Sequence, residues 1–331
     1  MTPDRGGNLR LPWLDRWVNL SAVHMASSDV ETVTYPGARP PDRTRTVDAH
    51  GLRLAVHEWG AADAPPLALA HGGFDFARTF DVFAPLLANA GWRVVAWDQR
   101  GHGDSEHATL YSWEADQRDM AAVLDAISPD PVPVIGHSKG GAISIQFATA
   151  MPHRVAKLVN LDGLPSHSMP DVPDHERTKL LADELAGWLD FRRSANGRNR
   201  KPGTIEELAR RRARMNERLS HEWLCYLVTV GARRDEDGWR WKIDPSLRLG
   251  GFGPWRSEWA MDRLPAISMP FLAILGTEPE TLGWVTRPEM VEPYLPVGGR
   301  LELLEGVGHF VYIEQPRRVA DMVLDFLGAP A

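Results

Sequence analysis

An α/β fold, with a mainly parallel sheet and helices on both faces, is what this sequence predicts, on three observations. Short apolar runs alternate with helical segments along most of the chain. Those runs are apolar throughout rather than every second residue, the mark of strands covered on both sides. One of them, Val132–Ile135, ends in Gly136-His137-Ser138-Lys139-Gly140. That G-x-S-x-G pattern is expected where a strand turns sharply into a helix, here Ala142–Ala150.

The elements follow in order from Arg43. Thr44–Asp48 and Leu52–Trp59 read as a hairpin around Ala49-His50-Gly51, and Leu67–Ala70 as a short buried strand entering His71-Gly72-Gly73. Thr79–Ala90 reads as a helix closed by Gly91, and Trp92–Trp97 as a strand ending at Asp98. Trp113–Ile127 is a helix stopped by Ser128-Pro129, and Val155–Leu161 a further strand. After a long interval come a strand at Phe271–Leu275, a helix at Arg287–Tyr294, a strand at Arg300–Leu304 and a final helix at Pro316–Phe326. The chain therefore divides into an extension (1–42), a core (43–162 and 266–331) and an insertion (163–265) where the alternation fails. In the extension, Leu11, Leu14, Trp17 and Val18 recur at helical spacing before a proline-rich linker at Pro36–Pro41. Packing on the main domain is its simplest role; docking a partner or touching a membrane surface are alternatives.

The insertion carries a capping box, Thr204 with Glu207, ahead of Leu208, Met215, Leu219 and Trp223 on one helical face. Between Phe191 and Ser220 about ten Lys or Arg stand against three Glu. A solvated helix face accounts for them, and attraction of an acidic substrate is the sharper alternative. Trp223, Trp239, Trp241, Trp255 and Trp259 are read first as core packing and second as the lining of an apolar pocket.

Bulk composition excludes several classes. The net charge of −7 disfavours nucleic acid as partner. The lone Cys225 forbids an internal disulfide and a cysteine-based zinc site. No apolar run reaches the ~18 residues of a membrane span. Met1–Arg10 lacks the apolar core of a secretory signal, so a cytoplasmic location is expected.

A serine becomes a useful nucleophile only beside a base, itself oriented by a carboxylate. Ser138 is the candidate nucleophile; a serine that merely caps a tight turn is the alternative. His309, in Gly306-Val307-Gly308-His309-Phe310 after the strand Arg300–Leu304, is the candidate base; otherwise it is a structural loop histidine. His102, Asp104 and His107 could cluster around a metal, but nothing else in the sequence supports one, and no metal or cofactor is expected. The Ser-Lys-Gly order also excludes a phosphate-binding loop.

Ser138 in its pentapeptide, His71-Gly72-Gly73, Asp98-Gln99-Arg100-Gly101-His102-Gly103-Asp104-Ser105 and Gly308-His309 together resemble the α/β-hydrolase family. The resemblance runs from about Arg43 to Leu327 and implies an eight-stranded sheet, with 163–265 as a mostly helical cap. It implies an oxyanion hole made by the backbone N–H groups of Gly73 and Lys139, with Phe74 a second candidate. Asp98, Arg100 and Asp104 are read as a structural ion-pair network near the site, and His71 and His137 as packed rather than catalytic. The acid departs from the family pattern. The expected position after the seventh strand, in Gly276-Thr277-Glu278-Pro279-Glu280, holds proline. Glu280 is placed first, Glu278 second, and Asp162 after the sixth strand third. The Lys139 side chain is expected in solvent, with recognition of a substrate carboxylate as alternative.

The resemblance implies a serine hydrolase acting on an ester, lactone or related acyl bond of a small, hydrophobic substrate. Serine at the nucleophile position disfavours the family's epoxide hydrolases and dehalogenases, which use aspartate there. Carbon–carbon bond hydrolases, acyltransferases, hydroxynitrile lyases, cofactor-free haloperoxidases, a non-catalytic ligand sensor and a membrane-associated lipase resting on Trp13 and Trp17 stay open. So does the oligomeric state, a homodimer included.

Overall fold

A computed structural model describes residues 33–165, 174–195, 198–247, 257–281, 283 and 286–330. Met1–Thr32 is a unit by itself and lies outside them, as do Trp255 and the side chain of Trp259; the readings made there fall outside the described residues.

In chain order the elements are β1 (Arg43–Asp48), β2 (Arg53–Trp59), β3 (Pro66–Ala70), α1 (Phe83–Asn89), β4 (Arg93–Trp97), α2 (Trp113–Ile127), β5 (Val132–His137), α3 (Lys139–Ala150) and β6 (Val155–Leu161). There follow α4 (Asp174–Ala195), α5 (Ile205–Ala213), α6 (His221–Gly231), β7 (Ala232–Asp235), β8 (Gly238–Trp241) and α7 (Ser257–Arg263). The last are β9 (Phe271–Gly276), α8 (Pro288–Val291), β10 (Arg300–Leu304), α9 (Val311–Glu314) and α10 (Pro316–Leu327).

Eight strands form one sheet in the order β1-β2-β4-β3-β5-β6-β9-β10. β2 is antiparallel to both its neighbours and every other pairing is parallel. The β1–β2 hairpin turns through His50 and Gly51, at φ 59° and 86°, the two positive values that a right-twisted two-residue hairpin requires. Alternate strand residues serve opposite layers. Leu67 and Leu69 face one core with Phe83 and Leu87 of α1 and Val319 and Val323 of α10. Ala68 and Ala70 face the other, with Val123 of α2 and Ile143 and Phe147 of α3. Each of the leucine, valine, isoleucine and phenylalanine side chains contributes roughly 1.5–3 kcal/mol on burial, so this two-sided sheet is the main reason the fold holds.

β4 lies on one side of β3 and β5 on the other, so the winding direction reverses between β3 and β5. Ligands of open α/β sheets bind beyond the carboxyl ends of the strands at such a reversal. The loop after β3 carries Gly73, and the turn after β5 carries Ser138.

Some expectations need correction. Thr79–Ala90 is not one helix: a 3-10 turn at Ala77–Phe80 precedes α1. Asp81 breaks it, because its carboxylate binds Arg78 and the Tyr226 hydroxyl while its carbonyl accepts from Arg39 N–H. Arg287–Tyr294 is likewise a short α8 followed by a 3-10 turn at Glu292–Tyr294. The face from Leu208 to Trp223 belongs to two helices. Thr204 and Glu207 form both halves of the capping box on α5, and Ser220 caps α6 by accepting from Trp223 N–H. Among the described residues, none between β6 and β9 joins the eight-stranded sheet; they include a hairpin, β7–β8, that periodicity did not show. Met261 and Leu264, near the end of that stretch, join the α3 side of the core.

Candidate active site

Ser138 links β5 to α3 with φ 51° and ψ −122°, a backbone conformation a non-glycine residue adopts only under constraint. The constraint is visible: Ser138 N–H donates to Leu161 O of β6, and Ser138 O accepts from Ala142 N–H inside α3. Close approach explains both flanking glycines. A Cβ on Gly136 would lie 2.6 Å from Gly140 O, and one on Gly140 would meet the carbonyls of Ala70 and His71 at 2.3 and 2.6 Å. The strand–turn–helix geometry expected of the pentapeptide is present, with Ser138 at its apex.

His309 follows β10 on the loop before α9 and is almost wholly buried. Its imidazole packs against that of His137, the residue before Ser138, with ring centres 4.7 Å apart and planes tilted by 44°. His137 Nε2–H in turn donates to the His309 carbonyl at 3.0 Å. The base candidate is thereby held beside the nucleophile's turn.

The carboxylate on the imidazole is that of Asp162: His309 Nδ1 to Asp162 Oδ2 is 2.6 Å. This corrects the order in which Glu280 and Glu278 came first. Asp162 directly follows β6 at φ 45°, a left-handed conformation that aspartate tolerates better than most residues. Its second oxygen accepts from Gly276 N–H at 3.2 Å, so the end of β9 fixes the carboxylate's orientation. Glu280 also reaches His309, but at the backbone: Oε2 accepts from His309 N–H at 2.6 Å. Burial pushes the Glu280 carboxyl above its ordinary value, against the His309 N–H that lowers it. Glu278 is exposed, and its backbone N–H donates to Val307 O.

The loop after β3 is built on neutral histidines. His71 Nδ1–H donates to Gly72 O while Nε2 accepts from Gln99 N–H, and burial drives its pKa down to about 4. His102 Nδ1–H donates to Arg100 O and Nε2 accepts from Phe74 N–H at 3.3 Å; burial likewise holds it well below its ordinary value. The Phe74 N–H is therefore engaged by His102, which leaves Gly73 the better placed of the two loop donors. Lys139 is the first residue of α3, where helical N–H groups form the positive end of the helix dipole.

The Lys139 side chain is not in solvent. It is buried, with Nζ 2.7 Å from Asp116 Oδ2 and donating to Gln99 Oε1 at 2.7 Å. Burial lowers its pKa, opposed by Asp116. Nearby, Arg100 binds both oxygens of Asp119 at 2.7 Å. The Asp98 carboxylate binds His57 and the N–H groups of Ala77 and Asp104, while Asp104 pairs with Lys242. These are the bonds of a structural network. His57, Asp98 and Asp104 bring ligand-type atoms within 4.8 Å of one another, but those bonds already occupy them.

Several arginines of the basic block are cross-links rather than a solvated face. Arg212 of α5 is buried and donates to Phe74 O at 2.7 Å and to the Asp75 carboxylate at 2.5 Å. Arg200 donates to the carbonyls of Ile243, Asp244 and Leu247. Trp223 is core, packed edge-on to Tyr35 and stacked on Tyr226. Periodicity pointed to neither Asp116 nor the Arg212–Asp75 pair, because a charged residue on a helix ordinarily reads as exposed.

The family model described as alpha/beta hydrolase fold matches residues 65–316. A serine hydrolase-like protein of Dictyostelium discoideum is 27% identical over 69% of this chain, which spans 64% of that protein's length. Epoxide hydrolase A of Mycobacterium tuberculosis is 27% identical over 86% of this chain and 96% of its own. The thioesterase domain from the curacin biosynthetic pathway superposes with a TM-score of 0.72 at 21% identity, over 86% of this chain and 99% of that domain.

Proposed function

From the premise that this chain belongs to the α/β-hydrolase fold family, we propose that it is a serine hydrolase cleaving an ester, lactone or related acyl bond through an acyl-enzyme. The observation that carries this is the 2.6 Å bond from His309 Nδ1 to Asp162. An imidazole held by Nδ1–H presents Nε2 as its basic nitrogen, and the carboxylate stabilises the imidazolium that forms when Nε2 takes a proton.

Ser138 Oγ attacks the acyl carbon while its proton passes to His309 Nε2. The carbonyl oxygen takes the negative charge against the N–H groups of Gly73 and Lys139, fixed donors that need no reorganisation. Collapse expels the alcohol, which takes the proton from His309, and leaves an ester on Ser138. Water then attacks that ester, giving its proton to His309; the acid leaves and Ser138 regains its proton. The relative that is an epoxide hydrolase does not alter the reading, since the residue at the apex of this turn is a serine. Phe74, beside Gly73, and Trp241 belong to one apolar cluster with Tyr111, Ile243 and Leu247, which supports an apolar acyl or alcohol group. In this reading 163–265 is the cap that sets substrate choice.

Labelling with a fluorophosphonate followed by peptide mass mapping tests the proposal. An adduct on the Ser138 peptide, lost in Ser138→Ala, is the expected result. A folded protein with no adduct on that peptide would overturn it.

A further inference from the structure

We propose that the Lys139 side chain is a positioning element for the oxyanion site, joining through Gln99 the turn that carries one backbone donor to the loop that carries the other. This rests on the acyl-transfer reading above and adds residues to it.

The two proposed donors lie on separate segments, Gly73 after β3 and Lys139 at the start of α3. For both N–H groups to converge on one oxygen, their spacing must be held to about 0.5 Å. Sheet pairing alone ends short of them, since β3 and β5 pair last at Ala70 and Gly136. What spans the gap is a chain of polar side chains. Asp116 of α2 holds Lys139 Nζ, and Nζ donates to Gln99 Oε1. The Gln99 amide nitrogen donates to His71 O at 2.5 Å, and Gln99 N–H donates to His71 Nε2 at 2.9 Å. His71 Nδ1–H then donates to Gly72 O at 2.7 Å, one residue from the donor at Gly73. Asp116, Lys139, Gln99 and His71 are all buried.

A buried ammonium–carboxylate pair is an expensive way to fill space, because an apolar pair of similar volume is commonly as stable or more so. Its presence beside the nucleophile calls for something packing alone does not supply. Asp116 balances the charge of Lys139, so the link contributes geometry rather than a net field. From the other side, Arg212 holds Phe74 O and Asp75, so the loop is fixed at both ends.

Gln99→Met removes both side-chain links, and Gln99→Glu keeps an acceptor for Lys139 while losing the donor to His71 O. Each is compared with the full-length parent for kcat and KM on a p-nitrophenyl ester, with active sites counted by fluorophosphonate. Inhibition is measured with a trifluoromethyl ketone, whose adduct on Ser138 bears the oxyanion, and with the corresponding alcohol, which forms none. The expected result is a fall in kcat of about 10- to 100-fold, less than loss of a whole donor, with KM within about threefold. The ketone's Ki should rise by the same factor while the alcohol's stays put. Both variants should behave alike, because both lose the Gln99 amide donor to His71 O while keeping the backbone Gln99 N–H bond to His71 Nε2; should Gln99→Met not fold, the near-isosteric Gln99→Glu decides. Unchanged kcat per active site, with a lowered melting temperature only, would make the chain structural and overturn the proposal. That failure is distinct from failure of the acyl-transfer reading, which would show in the parent itself as no Ser138 adduct and no preference for ketone over alcohol.

Discussion

Two turns at the carboxyl end of the sheet each bring a carboxylate to His309, and they bring it to different atoms. The turn after β6 presents Asp162 to the imidazole, and the turn after β9 presents Glu280 to the backbone N–H. The difference comes from the backbone. Asp162 sits immediately at the strand end in a left-handed conformation, its orientation fixed by Gly276 N–H. Glu280 stands several residues beyond its strand, after Pro279, and its longer side chain reaches the main chain of the loop that carries the base. One carboxylate can therefore tune the chemistry of the ring, while the other can only hold the loop still.

The largest effect should follow from Asp162→Asn. An amide at that position no longer favours Nδ1–H as the carboxylate does, and it cannot stabilise imidazolium, so kcat/KM on a p-nitrophenyl ester should fall by about 10³–10⁴-fold. The melting temperature should change little by comparison. Retention of activity within tenfold would return the role to the β9 turn and reverse the comparison.

How far the sequence disclosed all this depended on where the forces act. Trp113–Ile127, Val155–Leu161 and Arg300–Leu304 are read with the bounds they have; the first two set apolar residues directly on the core, and the third ends on the buried Leu304. Ser138 was legible because its turn constrains the neighbouring residue types. The carboxylate that meets the His309 ring was not, because nothing local distinguishes a side chain that contacts a histidine 147 positions away. The usable signal was Asp162-Gly163 directly ending an apolar strand, a pair suited to a left-handed turn. The β7–β8 hairpin also had its signal, Asp237-Gly238 between Arg- and Trp-bearing segments, which the charge-rich surroundings masked. The Lys139 side chain was misread because a lysine is buried only when a partner awaits it, and Asp116 lies on another helix.

Glu280 should matter to stability more than to chemistry. Glu280→Ala leaves the buried His309 N–H without its acceptor, at a cost of about 1–3 kcal/mol in chemical denaturation. Glu280→Gln keeps a carbonyl oxygen for that N–H and should cost less, with kcat/KM within about tenfold of the parent. A loss in Glu280→Gln as large as in Asp162→Asn would erase the distinction between the two turns.

The same residue gives a pH test. The folded carboxyl is raised above its unfolded value by burial. Between the two values the folded protein holds a proton that the unfolded chain has released, so stability from this group is present at low pH and is lost as pH rises through the folded value. The melting temperature of Glu280→Gln, which carries no such group, should therefore improve relative to the parent as the pH rises above the ordinary glutamate value. A relative change of opposite sign would mean that the charge of Glu280 is stabilised where it sits.

Glu278→Gln should have the smallest effect. Its side chain is exposed, and what ties the residue down is the backbone N–H to Val307 O, which the substitution keeps. Stability should stay within about 0.5 kcal/mol of the parent, as for most surface substitutions. Turnover of the p-nitrophenyl ester should stay within about twofold. A loss of tenfold or more in kcat at unchanged stability would show that the β9 turn rearranges on substrate binding to bring Glu278 inward. Asp162 and the β9 turn would then share the histidine.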